Sequence, residues 1–422
     1  MNIRMLTKLK LVLTSIFFSS FNVSYAEQVD HADFLKKASH IGEELNEQDN
    51  SILTLLNKSE QLFINYKDDA EASDIVSQLS AAIYSSAGEH ERALVVADKG
   101  LPPKKHQKRH INIDKYRAHN AVDALTLLAK NKQIVMINEA HHVPQHRSLT
   151  YDMLNKLWQS GYKYLALEAL NSNKYPFSGV LQSDDGYYTK EPMFALLINH
   201  AVSIGFKLVS YDSSASTIDQ RETQAAATIK KRIFDYDPNA KVIIHVGYSH
   251  INEVDWLASK LKSLLNIDPL TVDQTELAEK SEVKFEDPLY QSVITTFNET
   301  RPFVLVDHGQ NIFSSQQEKW DVTVFWPRTQ YLYGKADWLI KNRELKPIES
   351  SICEGKFPCL VEVYQNYAET SHDESNLIPF DRTVVFEHNE NNAILLGPGK
   401  NTVIVTNDSK DIIAKTIMFS ER

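Results

Sequence analysis

Cysteine is almost missing from this chain. The 422 residues hold two, Cys353 and Cys359, with five residues between them. Two thiols are too few for a zinc site of their own; in an oxidising compartment they are expected to close a small disulfide loop. No Cys-x-x-Cys-His occurs, which excludes covalent haem attachment. No Gly-x-Ser-x-Gly occurs either, which disfavours a serine-hydrolase elbow. Basic residues are in deficit: 45 Lys and Arg against 55 Asp and Glu give a net charge of −10, which argues against a nucleic-acid partner. Long apolar runs are lacking too. Residues 11–21 form one too short to span a bilayer, and no later stretch is longer, so the chain is not expected to be membrane-embedded.

That early run reads as the centre of a secretory leader. Arg4, Lys8 and Lys10 precede it, and Ser24-Tyr25-Ala26 supplies small residues for cleavage, so residues 1–26 are expected to be removed and the mature chain to begin at Glu27. Loss of those three cations would leave a net charge of about −13. No cysteine lies near the cut to carry a lipid anchor. These features together suggest a bacterial periplasmic or secreted protein.

Length predicts two or three domains. Residues 27–110 read as helices from apolar spacings of three and four, among them Phe34, Leu35, Ala38, Ile41 and Leu45. Residues 75–101 resemble one tetratricopeptide-like hairpin turning at Gly88. Pro102-Pro103 and a basic run to His110 form a linker. From 116 to 320 short β-rich segments alternate with amphipathic helices. Strands are expected at 134–137, 164–167, 207–211, 242–246, 270–272 and 303–306, and helices at 144–158, 192–204, 216–234 and 251–265. That alternation predicts an α/β domain, a parallel sheet with helices on both faces. Residues 321–422 read as a small β-rich domain with strands near 320–326, 360–364, 382–387, 393–396, 402–406 and 414–419. Its aromatic residues Trp326, Tyr331, Tyr333 and Trp338 either line a cleft or pack against the α/β domain.

The chemistry-bearing residues recur at strand ends. Asn138, Glu139, His141, His142, His146 and Arg147 follow the first strand. Glu168 follows the second and Asp212 the third. His245 lies in the fourth, with Gly247 and His250 after it. Asp273 and Asp307-His308 follow the later candidates. The carboxyl ends of parallel strands share one rim, where ligands bind. Carboxylates and imidazoles gathered there make an acid–base or metal-binding site. Asp212 or the adjacent Ser213 reads equally well as a helix cap.

Asn138-Glu139-Ala140-His141-His142, Glu168, Arg221-Glu222 and Gly247-x-x-His250 resemble the motifs of the erythromycin-esterase-like and ChaN-like superfamily, which looks related to the TraB and Tiki proteins. The likeness covers residues 120–275. Asn138 stands where that family usually has glycine. The esterase-like spacing selects His142 and the ChaN-like spacing His141; both are present. The esterase-like branch implies ester hydrolysis by a histidine-activated water, with Glu139, His142, Glu168 and His250 as the catalytic set and no cofactor required. His141, His146, Arg147, Asp212, Arg221 and His245 are then binding or supporting residues. The Tiki-like alternative is a metal-dependent protease, with zinc or manganese held by some of Glu139, His141, His142, Glu168 and His250. The ChaN-like alternative is a haem-binding protein without catalysis, with His141 or His146 as the iron ligand. The expected partner is a small-molecule or peptide substrate.

Overall fold

The computed structural model describes residues 31–45, 51–99, 111–171, 181–213, 215, 217–341, 343–365, 377–388 and 391–421. The leader expected over residues 1–26 lies outside them.

Eight strands form the central sheet. They are β1 (Tyr116–Asn120), β2 (Ile134–Glu139), β3 (Tyr164–Leu167), β4 (Lys207–Ser210), β5 (Val242–Gly247), β6 (Leu270–Asp273), β7 (Phe303–Asp307) and β8 (Val322–Phe325). Their order is β1-β7-β8-β6-β2-β5-β3-β4. β8, β6, β2, β5, β3 and β4 are mutually parallel, whereas β7 runs antiparallel to both β1 and β8. Every residue of β2 is buried, as a central strand of β-branched and apolar residues requires. Period-two alternation divides it. Val135 and Ile137 pack with Leu149 and Met153 on one face, while Ile134 and Met136 pack with Ala225, Ile229 and Leu261 on the other.

Helices cover both faces. The N-terminal ones are α1 (His31–Leu45), α2 (Ile52–Asn65), α3 (Ala70–Ser86) and α4 (His90–Lys99). Then come α5 (Ala121–Ala129), α6 (Gln145–Gln159), α7 (Pro192–Ile204), α8 (Ile218–Ile229), α9 (Leu257–Leu265) and α10 (Pro288–Phe297). α3 and α4 make the expected hairpin. Gly88 joins them at φ +82°, and a side chain there would sit 2.0 Å from the carbonyl of Arg382, so both conformation and crowding demand glycine. The long helix expected over 216–234 is α8 followed by a π-helical turn, Lys230–Phe234.

Two expectations are corrected. The segment near 320–326, read as the start of the β-rich domain, supplies β8, which pairs with β6 and β7 inside the main sheet. Because β7 runs the other way, Asp307 and His308 lie at the opposite edge from the rim. There Asp307 closes a turn by accepting from Asn311 N at 2.8 Å.

Beyond β8 come the short β9 (Tyr331–Leu332) and β10 (Lys335–Ala336). They are followed by β11 (Glu344–Ile348), β12 (Cys359–Gln365), β13 (Asp381–Val385), β14 (Asn392–Leu396), β15 (Gly399–Thr406) and β16 (Ile412–Ser420). The order β13-β12-β15-β16 forms an antiparallel sheet, and β11 pairs with β14. Val361, Val363, Ile394, Leu396, Val403 and Val405 share their core with the Cys353–Cys359 disulfide. Among the described residues no helix is long and apolar enough to cross a membrane.

Candidate functional site

The pleat of the sheet sorts the rim into two clusters. Glu139 continues the Val135–Ile137 face toward α6, and His245 shares that face of β5. Glu168, one step beyond Leu167, falls on the opposite face, toward α8.

In the first cluster Arg147, fully buried in the first turns of α6, donates Nε to Glu139 Oε2 at 2.6 Å and Nη2 to Glu139 Oε1 at 2.8 Å. Its Nη1 donates to Glu191 Oε2 at 2.9 Å, and Nη2 also reaches the His141 carbonyl at 2.8 Å. Glu191 itself accepts from the backbone N–H groups of Met193 and Phe194 at the start of α7. His245 Nε2 lies 2.8 Å from Glu139 Oε2, and its Nδ1 lies 2.9 Å from Thr150 Oγ1. Burial opposes ionisation of Glu139, yet Arg147 and the bonds from His141 and His245 hold its carboxyl well below the usual range.

In the second cluster Arg221 on α8 donates to Glu168 Oε1 at 2.5 Å and to Asp212 Oδ1 at 2.8 Å. Gly247 N donates to Glu168 Oε2 at 2.7 Å. His250 Nδ1 lies 2.9 Å from Glu222 Oε2, and its Nε2 lies 3.4 Å from Glu168 Oε1. Burial opposes a charge on His250, and Arg221 Nη1 lies 3.3 Å from its Nε2, but Glu222 and Glu168 raise its pKa to about 10. Asp212, read equally well as a cap or a catalyst, is Arg221's partner. Its burial, with Glu168 nearby, raises its pKa despite that contact.

The sign of the His250 shift gives a prediction. An imidazole at 6.5 when unfolded and about 10 when folded contributes stability that is fully present below about 6.5 and is lost as pH rises through 10. The melting-temperature gap between the native protein and His250→Gln should therefore narrow from pH 7 to 10. A constant gap would show that His250 is neutral.

His141 joins the two clusters. Its Nδ1 lies 2.9 Å from Glu139 Oε1. Its Nε2 is buried and has no hydrogen-bond partner. A side-chain carbon on Gly247 would sit 2.7 Å from that nitrogen and 3.2 Å from Glu168 Oε2, so the His141 ring packs closely against the Gly247 backbone and tolerates no side chain there. The ring stacks on Tyr188 with centroids 4.1 Å apart and meets Tyr248 edge-on at 5.6 Å. The hydroxyls of Tyr188 and Tyr211 are also buried without partners. Burial, with Glu168 among the nearby charges, pushes both phenols well above their ordinary value, so they remain protonated donors.

Two expected site residues do not join this constellation. His142 is half-buried, with Nδ1 3.3 Å from Tyr248 Oη and no hydrogen bond to Glu139 or Glu168. His146 accepts from Ala140 N at 3.0 Å through Nδ1, which fixes the loop; burial pushes its pKa to about 3. Asn138 ties the strand ends together. Its Nδ2 donates to Tyr248 O and Asp273 Oδ1, both at 2.9 Å, and its Oδ1 accepts from Gln274 N. Glu191, Tyr188 and Tyr211 carried no distinguishing sequence signal: a glutamate before proline and two tyrosines in loops are common.

Among the described residues no three His, Cys, Asp or Glu side chains are placed to hold a metal ion. The cause is visible: Glu139 and Glu168 spend their oxygens on guanidinium, imidazole and backbone donors. The proposed metal set of Glu139, His141, His142, Glu168 and His250 does not fit.

No known protein family matches the chain, and no curated protein is similar to it. Two solved structures show a slight likeness. One is the type III effector HopBA1, 16% identical with a TM-score of 0.29, covering 42% of this chain and 96% of that one. The other is described as bacterial protein toxins, 12% identical with a TM-score of 0.30, covering 63% of this chain and 57% of that one.

Proposed function

We propose that this is an exported hydrolase in which His141, two residues after Glu139, activates water for attack on an ester. The observation that carries the reading is the buried, unpartnered Nε2 of His141, whose other nitrogen is held by an ionised carboxylate. A proton on Nδ1, donated to Glu139, leaves Nε2 as the base. Water adds to the carbonyl carbon while its proton passes to Nε2, and Glu139 stabilises the imidazolium formed. Tyr188, whose ring stacks on His141 and whose hydroxyl has no partner, supplies a donor for the developing oxyanion. Collapse of the tetrahedral intermediate breaks the ester C–O bond, and His141 returns the proton to the leaving oxygen. Arg147, Arg221 and His250 hold the two carboxylates ionised and in place. This reading moves the base from His142, the residue the esterase-like spacing selects. Tyr188 and the Gly247 backbone flank the His141 ring closely, which disfavours haem as its ligand. The Cys353–Cys359 disulfide agrees with export.

A screen of p-nitrophenyl esters and peptides, with and without chelator, tests the proposal. Chelator-resistant ester hydrolysis is expected, and Gly247→Ala should lower it by at least about 100-fold, because the new methyl group forces the His141 ring out of position. Chelator-sensitive peptide cleavage, or full ester activity in a folded Gly247→Ala protein, would overturn it.

A further inference from the structure

β16 differs from the other strands at sheet edges. An edge strand presents a row of backbone groups that can pair with another chain, so edges are usually short or charged. β4 has four residues, and β1 has five, with Arg117 and His119 exposed. β16 has nine, Ile412–Ser420, and borders β15 alone among the described strands.

Its two faces differ as well. Ala414 and Met418 pack against the core around the disulfide. The other face carries Lys415, Ile417 and Phe419, set opposite Ile404, Thr402 and Lys400 of β15. Ile417 is 52% exposed and Phe419 73%. Glu421, the next residue of that alternation, is exposed too. Single exposed apolar residues mean little. These two are neighbours on one face of a long edge strand, with a cation before them and an anion after.

We propose that β16 pairs antiparallel with β16 of a second copy of this chain, joining two four-stranded sheets into one. The order of residues names the occupant. A two-fold axis perpendicular to the sheet keeps both outer faces on the same side and pairs residues equidistant from the axis. With the axis at Thr416, Lys415 faces Ile417; with the axis at Ile417, it faces Phe419. With the axis at Met418, Ile417 faces Phe419 and Lys415 faces Glu421, and symmetry makes each pair twice. Apolar then meets apolar and cation meets anion, the cross-strand pairs that stabilise a sheet. A strand complementary to its own reverse is what an interface between identical copies requires. This assembly goes beyond ester hydrolysis at the rim and does not depend on it.

Sedimentation equilibrium of the full chain between about 1 and 100 µM tests the proposal. A reversible dimer is expected. Ile417→Lys should weaken it about tenfold or more by placing like charges at the axis, and should melt as native does at concentrations where both are monomeric. Lys415→Glu should also weaken the dimer, because two glutamates then face each other, and adding Glu421→Lys should restore it. The proposal is overturned if the chain stays monomeric throughout, including if its edge takes up an unrelated strand peptide instead. It is equally overturned if Ile417→Lys leaves the dimer intact, or if the double charge reversal dimerises no better than Lys415→Glu alone.

Discussion

Replacing His141 with glutamine is expected to lower kcat/KM for ester hydrolysis by about 10²–10⁴-fold, the usual contribution of a positioned proton-transfer group. Glutamine removes the base while keeping a polar side chain at that position. Folding should survive. The substitution gives up one hydrogen bond to a charged partner, worth about 1.5–3 kcal/mol at most, and Glu139 keeps Arg147 and His245. His142→Gln is the internal control: it alters the bond to Tyr248 Oη and leaves the Glu139–His141 contact untouched, so turnover should stay within a few fold of native. Adding Gly247→Ala to His141→Gln should cost little more than the worse single change, because both act on the same imidazole. If His142→Gln abolishes turnover while His141→Gln spares it, the assignment of the base is wrong.

The largest stability effect is expected at Arg147. Arg147→Met keeps most of the side-chain length and removes the guanidinium that donates to Glu139, Glu191 and the His141 carbonyl. Two buried carboxylates then lose their main countercharge. Breaking a buried pair from one side costs about 3–5 kcal/mol, or on the order of 10 °C in melting temperature for a domain of this size. Neutralising the stranded partners should return part of the loss, so the triple variant with Glu139→Gln and Glu191→Gln should melt above Arg147→Met. Calorimetry on the three proteins decides it. A single variant that melts within a degree of native would mean the network contributes nothing to stability.

Much of the scaffold is written locally. The apolar run at 134–137, the helix after Pro144 and the alternation that follows specify parallel strands covered by helices, because burial on both faces and a period of 3.6 each leave a mark in a few neighbouring residues. The placement of Glu139, Glu168, Asp212 and His250 at or just beyond strand ends follows from that pattern, and the pairing of Cys353 with Cys359 follows from there being only two cysteines. Three matters were decided only by tertiary structure. The direction of β7, which removes Asp307 and His308 from the rim, depends on partners far along the chain. The different surroundings of His141 and His142 depend on a loop whose register is fixed by the His146–Ala140 contact and by Asn138 reaching across to the end of β5 and to β6. The pairing of each carboxylate with a guanidinium likewise depends on which face of the sheet its strand presents. Adjacent histidines look alike in sequence. Long-range packing gives one a carboxylate and an unpartnered second nitrogen, and the other a contact with Tyr248 Oη.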